Sequence, residues 1–465
     1  MVPVKVKWGR ETFELTVDLR STVKCFKEQL QQLTSVPVER QKIMGVKASQ
    51  CNDNEVTLEA AGVAAGKTLM LIGTAAEVVR ATPIVATGNK DSAVQAPASH
   101  PAEKQAVGLQ NIANTCYMNA AVQMLRLVPE VRDVLNFNAN DPIVSELLKL
   151  YNTMDTKRDP VVPASLWSIL LAHFPTFAEV NEKGHPMQHD SQEALNALLQ
   201  RINSCLPESH KRLFTGNLSQ KMVCKDDPDD QPVLHDVPFL MLSCNIDAEI
   251  ETLEAGLEAA FNETVKLHSE KLAREALHTR TSRIAAMPEY LFIHMVRFSW
   301  RSDIQSKAKI LKPVTFPMTL DLHALCAEEY KPELEVERKR VLKRRDIEME
   351  RRRAAKNKTK LDDDEAAPAE DASNTAEPIN TTVGNHSGYY ELCGVISHKG
   401  RSADSGHYVF WGKYADQWMV LDDSNTAAVS EEDVKRLRGS GEAHIAYVLM
   451  YRSRDPRTKQ SVIPL

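Results

Sequence analysis

The chain has 465 residues, more than one compact core usually holds, so two or more units are expected. It is 43% hydrophobic and 26% charged, as ordinary globular proteins are, and its formal charge of -6 gives no electrostatic reason to expect nucleic acid as a partner. No apolar run reaches the length needed to span a bilayer, and the N-terminal MVPVKVKWGRETFEL alternates polar and apolar residues instead of carrying a signal peptide's apolar core. No membrane partner is therefore expected, and the location expected is the cytoplasm, with the nucleus as a second compartment.

The first unit spans residues 1–74. Val4, Val6 and Trp8 alternate, and Phe13, Leu15 and Val17 alternate after a Gly9-Arg10 turn, the signature of a β-hairpin. Ser21-Thr22 can cap a helix in which Val23, Phe26, Leu30 and Leu33 share a face. Gln41–Met44 and Thr68–Ile72 read as two further short strands. This order, with VKVKWGRETFELTV, VERQKIM and KTLMLIG as its strings, resembles ubiquitin. The segment runs on through Gly73-Thr74 with no exposed Gly-Gly terminus, so the resemblance implies a docking module that cannot itself be conjugated.

Residues 75–104 are rich in Ala, Pro, Ser and Thr and are expected to form a flexible linker. From 105 to 455 helical and strand patterns alternate, as in one large α+β domain. Within it, residues 330–386 form an insertion. It begins as a charged run, EYKPELEVERKRVLKRRDIEMERRRAAKNK, expected to be a solvated helix that could also serve nuclear import. It then turns acidic and Ala/Pro-rich, LDDDEAAPAEDASNTAEP, which is expected to be disordered.

Eight cysteines lie at 25, 51, 116, 205, 224, 244, 326 and 393, and none forms a C-x-x-C pair, so neither a disulfide framework nor a structural zinc site is expected. One of them sits in an informative context. In Gly108–Asn119, GLQNIANTCYMN, turn-prone residues end at Cys116, and Val122, Leu125 and Val128 then recur at helical spacing. Asn114 or Thr115 can cap this helix. Cys116 at a helix N-terminus meets unpaired backbone N–H groups and the positive end of the dipole, both of which favour a nucleophilic thiolate.

Far downstream, Ser405–Trp411 (SGHYVFW) begins an apolar strand at His407, behind a loop bracketed by Gly400 and Gly406. Gln417–Ser424 (QWMVLDDS) ends a second strand in Asp422 and Asp423. Antiparallel pairing across the short 412–416 turn would bring Asp422 to His407, where a carboxylate can hold the imidazole in one tautomer.

GLQNIANTCYMN resembles the cysteine box of the ubiquitin-specific proteases, and SGHYVFW with QWMVLDDS resembles their histidine box. Gln188–Glu193 (QHDSQE) and Tyr290–Phe298 (YLFIHMVRF) are similar to two further family segments, in the family's order. The leading ubiquitin-like unit and the RLRGSGEAHIAYVLMY ending are similar to the subfamily that docks on the proteasome.

The resemblance implies an α+β architecture: a ubiquitin-like β-grasp domain followed by a papain-like, fingers-palm-thumb protease domain. It implies Cys116 as nucleophile, His407 as general base, Asp422 as its orienting partner with a share open to Asp423, and Asn111 as oxyanion donor. Oxyanion donation is an effect often worth about 3 kcal/mol. It places Asp190, Glu193 and Tyr408 along the channel for ubiquitin's C-terminal tail, although Asp190 with Glu193 also reads as a capping-box helix start. The implied partners are ubiquitin, ubiquitinated proteins and the proteasome regulatory particle, and no cofactor is called for.

Two positions depart from the family: Ala113 stands at its usual Gly, and His189 at its usual Gln. If position 113 needs positive φ, Ala there carries about 1 kcal/mol of strain and can shift Asn111. In the loop Lys399–Ser405, which matches one that can cover the cleft in this subfamily, Asp404 adds a negative charge.

The reaction implied is hydrolysis of the isopeptide bond after ubiquitin's terminal Gly, trimming chains and recycling ubiquitin. The rival readings are a non-catalytic ubiquitin and proteasome adaptor with an idle Cys116, favoured only by Ala113, and a papain-like protease of general specificity.

Overall fold

The computed structural model describes residues 2–8, 11–34, 41–44, 56–64, 68–72, 106–135, 140–182, 184–227, 229, 231–269, 271–301, 306–358, 382–402, 405–414, 416–439 and 443–453. The Gly9-Arg10 turn, the 75–104 linker, the acidic half of the insertion and Asp404 lie outside them. The chain divides into two compact units, Met1–Asp91 and Ser92–Leu465.

In the first unit, β1 (Val2–Trp8), β2 (Glu11–Val17), α1 (Val23–Thr34), β3 (Lys42–Met44) and β4 (Thr68–Ile72) follow in order. The sheet runs β2-β1-β4-β3, with β1 parallel to β4 and the other neighbours antiparallel. Val4, Val6 and Val17 meet Val23, Phe26 and Leu30 of α1 in one core. The Thr22 hydroxyl accepts from Cys25 N at 3.3 Å, so the expected cap is made. This is the β-grasp arrangement of ubiquitin.

The second unit opens with helices α2 (Cys116–Arg126), α3 (Pro129–Leu135), α4 (Pro142–Thr156), α5 (Ala164–His173) and α6 (Ser191–Cys205). Every residue of α2 is buried, so this helix is the axis of the helical layer. Strands β5 (Gly216–Cys224), β6 (Val233–Phe239) and β7 (Met241–Asn245) follow, then α7 (Leu253–Phe261), β8 (Asn262–Ser269), β9 (Arg274–Ala286) and β10 (Tyr290–Val296). Next come the hairpin β11 (Phe298–Arg301) and β12 (Ser306–Lys309), then β13 (Thr319–Asp321) and α8 (Lys331–Lys358). The chain closes with β14 (Tyr389–Ser402), β15 (Ser405–Tyr414), β16 (Gln417–Asp422), β17 (Asn425–Val429), α9 (Glu431–Arg436) and β18 (Ile445–Ser453).

The large sheet has the order β17-β16-β15-β14-β18-β10-β7, with β13 paired to β14 off this path. A smaller sheet, β6-β5-β9-β8, stands apart from it. The helical layer packs on the face of the large sheet that carries Tyr408, Phe410 and Leu421, while Val409, Trp411 and Val420 enter a second core on the other face. The alternation within β15 and β16 thus faces two cores at once, as a strand covered on both sides requires.

The charged run does form a helix, α8, but its first turns are held down. Leu334 is buried, and Arg338 donates to both oxygens of Asp321 at 2.8 Å while lying over the Tyr389 ring. Asn385 and Ser387 are fully buried, so the folded domain resumes inside the boundary expected at 386. The seven described cysteines are free thiols. Among the described residues, no helix is long and apolar enough to cross a membrane.

Candidate active site

Cys116 is the first residue of α2 and is 2% exposed. Thr115 holds the N-cap position, but its side chain makes no cap, contrary to expectation. The hydroxyl accepts instead from Ile112 N at 3.0 Å, and the Asn114 amide donates to Pro186 O at 3.1 Å. Both candidate caps are spent on shaping the loop before the helix. The first-turn N–H groups are thereby left without a side-chain cap, next to the cysteine sulfur.

That loop is strained at the position where Gly is the family habit: Ala113 has φ 135°, and Asn114 has φ 57°. Gly108, at the loop's start, packs flat on another backbone, since a Cβ there would lie 2.7 Å from the carbonyl oxygens of Asp423 and Ser424. Leu109 N donates to Asp423 O at 2.9 Å. The loop before the nucleophile is therefore bolted to the end of β16.

His407 lies near the mouth of β15. Strand pairing sets Phe410 opposite Leu421, which places Asp422 alongside the start of β15. The His407 Nε2 and Asp422 Oδ1 are 2.5 Å apart, and the Cys116 sulfur is in hydrogen-bond reach of the same imidazole. Burial by itself would lower the His407 pKa, but the hydrogen bonds to Asp422 and Cys116, with their charges, raise it to about 10. Asp422 resists its own partial burial and stays below the usual carboxylate range through the His407 contact. The one imidazole thus links Asp422 on one side to Cys116 on the other.

The neighbouring carboxylate does something else. Asp423, at φ 49°, turns its side chain away from the strand, accepting from Asn111 Nδ2 at 2.9 Å and from Asn119 Nδ2 at 2.8 Å. Burial raises its pKa, and the two amide donors oppose that rise. Asn111 Oδ1 in turn accepts from Thr115 N at 3.0 Å and Ala113 N at 3.2 Å. An amide nitrogen carries two hydrogens. Asp423 takes one from Asn111, which fixes the direction of the other. Despite the strain at Ala113, Asn111 keeps this full set of partners.

His407, Asp422 and Asp423 also bring ligand atoms within 4.8 Å of one another, close enough to consider a metal. Each Asp423 oxygen already accepts from an amide, and Asp422 already bridges to the imidazole, so these groups are committed to hydrogen bonds.

Of the three side chains assigned to the tail channel, Asp190 and Tyr408 meet a common neighbour, Tyr447. Asp190 caps α6, accepting from Gln192 N at 2.7 Å, and accepts as well from the Tyr447 hydroxyl. Glu193 is exposed in the first turn of α6. Tyr408 is buried, with its ring 5.8 Å from Tyr447 and 4.5 Å from His398. His189 packs edge-on to Tyr117 and Phe177, each at 5.6 Å. Sequence reasoning misses Asn119 and Tyr447. The available signal for Asn119 is a polar, poor helix former one turn after Cys116.

Comparison with known proteins gives the family and the fold. The ubiquitin carboxyl-terminal hydrolase family model matches residues 107–451, and the ubiquitin family model matches residues 2–75. The chain is 33% identical to ubiquitin carboxyl-terminal hydrolase 6 of Schizosaccharomyces pombe, covering 98% of this chain and 99% of that one. It is 30% identical to ubiquitin carboxyl-terminal hydrolase 14 of Caenorhabditis elegans, covering 97% and 93%. Among solved structures, the SAGA Ubp8/Sgf11/Sus1/Sgf73 DUB module bound to ubiquitin aldehyde is similar in fold, with a TM-score of 0.51 at 19% identity over 76% of this chain and 70% of that one.

Proposed function

This chain belongs to the ubiquitin carboxyl-terminal hydrolase family and is a cysteine-protease deubiquitinase, and we propose that it works while docked on the proteasome through its ubiquitin-like unit, trimming chains and recycling ubiquitin. The observation that carries the catalytic part is the single imidazole of His407 joined to both Asp422 and Cys116. The docking part is supported by a ubiquitin-family segment at residues 2–75 of a chain whose relatives match it over nearly their whole length. We place the activity in the cytoplasm and nucleus, with ubiquitinated proteins as substrates and no part for membrane or nucleic acid.

The chemistry follows from the hydrogen-bond chain. The His407 imidazole beside Cys116 can take the thiol proton as general base and so supply the nucleophile. The Cys116 sulfur attacks the carbonyl carbon of ubiquitin's terminal Gly. The free N–H of Asn111, aimed by Asp423, and backbone N–H groups at the start of α2 stabilise the oxyanion. His407 gives its proton to the departing lysine amine, and the C–N bond breaks. Water then attacks the thioester, His407 takes its proton, and the Cys116 sulfur leaves with free ubiquitin released. Asp422 keeps the ring oriented throughout.

Deletion of residues 1–74 tests the docking assignment. The truncated protein is expected to cleave di-ubiquitin at close to the rate of the full chain and to lose co-purification with proteasomes. Full co-purification after the deletion would defeat that assignment.

A further inference from the structure

A second buried histidine lies beside the site, and the chemistry above makes no use of it. His398, near the far end of β14, is fully buried. Lys309, the last residue of the β11–β12 hairpin, donates its ammonium to the His398 carbonyl oxygen at 2.7 Å and approaches Nδ1 of the same residue at 2.9 Å. The other ring nitrogen, Nε2, lies 3.2 Å from the carbonyl oxygen of Ser405. An ammonium can only donate and a carbonyl can only accept, so the ring carries its lone pair on Nδ1 and its hydrogen on Nε2. One tautomer is fixed from both sides.

Ser405 is the first residue of β15, two residues before His407, and His407 itself pairs with Lys399, the neighbour of His398. The backbone closes on the imidazole here. A Cβ on Gly406, at φ 120°, would lie 2.2 Å from Lys399 O and 2.7 Å from His398 Nε2. The ring is packed against Tyr408 at 4.5 Å and Phe298 at 5.5 Å. The Lys309–His398–Ser405 chain therefore spans from the hairpin to the strand mouth that carries the base.

We propose that Lys309 and His398 are positioning residues for cleavage: their hydrogen-bonded relay anchors the start of β15 and so holds the His407 imidazole between Asp422 and Cys116. This rests on the catalytic reading of Cys116, His407 and Asp422. The charged and titratable groups facing His398 among the described residues are Lys309 from β12, His407 and Tyr408 from β15, His444 from the segment entering β18 and Tyr447 from β18. Burial, and then the Lys309 charge, lower the His398 pKa to about 3, so the ring stays neutral and keeps its lone pair for Lys309 across the working range. Burial, with Arg297 nearby, lowers Lys309 to about 8.

The test compares Lys309→Met, His398→Phe, His398→Gln and the Lys309→Met/His398→Phe double variant in the full chain. The readouts are kcat, KM and pH profile on a fluorogenic amide of ubiquitin's C-terminus. Phe keeps the stacking and loses both hydrogen bonds, whereas Gln offers one acceptor and one donor. The relay predicts about a tenfold or larger fall in kcat for Lys309→Met and His398→Phe, with KM within about twofold. It predicts a downward move of the alkaline limb by about a unit as His407 loosens from its partners. Gln should recover part of kcat, and the double variant should be no worse than His398→Phe alone.

Wild-type kcat and an unmoved pH limb in folded Lys309→Met overturn the relay. So does a loss confined to melting temperature. Because Lys309 is only half-buried, that variant carries the test even if His398→Phe does not fold. A His407→Ala control that retained activity would instead remove the catalytic reading beneath the relay.

Discussion

The two large sheets of the protease domain are built to opposite specifications. In the β17-β16-β15-β14-β18-β10-β7 sheet, β18 is buried along nearly its whole length between β14 and β10, and helices or loops cover both faces. In the β6-β5-β9-β8 sheet, β6 is mostly exposed, and Leu234 and Val233 stand 68% and 50% open to solvent. By register, Leu234 and Leu277 fall on the same face of that sheet. The first sheet holds an imidazole within 2.5 Å of a carboxylate, which tolerates little movement. The second leaves apolar side chains unburied, which suits contact with a partner of protein size. The two sheets of one domain thus differ in how much apolar surface they leave open.

The sharpest way to break this division is at the precise end. Cys116→Ala or His407→Asn should lower kcat on ubiquitin conjugates by about four orders of magnitude while leaving ubiquitin binding intact, as steady-state turnover and a binding titration would show. Asp422→Asn should cost about a hundredfold in kcat, and it should also move a pH limb. His407 is raised to about 10 partly by Asp422, and the imidazolium needed to protonate the leaving amine exists below that value. Removing the carboxylate lowers the pKa, so the alkaline limb of kcat should shift toward neutrality, which a pH–rate profile resolves.

Stability should divide the same way. Leu449, fully buried on β18 between Ile293 and Val395, should cost about 3 kcal/mol when cut to Ala, measured by urea unfolding. Leu234→Ala on the open sheet should change stability by less than about 0.5 kcal/mol and should raise KM for ubiquitin substrates several-fold. An equal loss of stability at both sites would erase the contrast. The smallest effect is expected at Ala113, whose φ of 135° favours glycine: Ala113→Gly should relieve about 1 kcal/mol and raise the melting midpoint by about 2 °C.

What could be read from the chain depends on how local each feature is. The alternation of Val4 and Val6, the helical face of Val23, Phe26 and Leu30, and the buried repeat of Val122, Leu125 and Val128 are short-range patterns, and they appear as expected. So does the approach of Asp422 to His407, because the two residues lie on adjacent strands joined by a tight turn. The role of Asp423 is hidden in sequence, since it links Asn111 and Asn119 across more than 300 positions. The Thr115 cap fails for a related reason: a tertiary demand from the preceding loop outweighs a local preference. In the exposed four-stranded sheet, β6 mixes polar and apolar residues without alternation, and β8 offers only the short Val265, Leu267 alternation.

The most direct test uses ubiquitin bearing an electrophile in place of its C-terminal carboxylate, with the adduct mapped by mass spectrometry. A single adduct on Cys116, formed by the wild type and lost in His407→Ala, is the predicted result. An adduct on another cysteine, or one that forms at Cys116 equally well without the His407 imidazole, would contradict it.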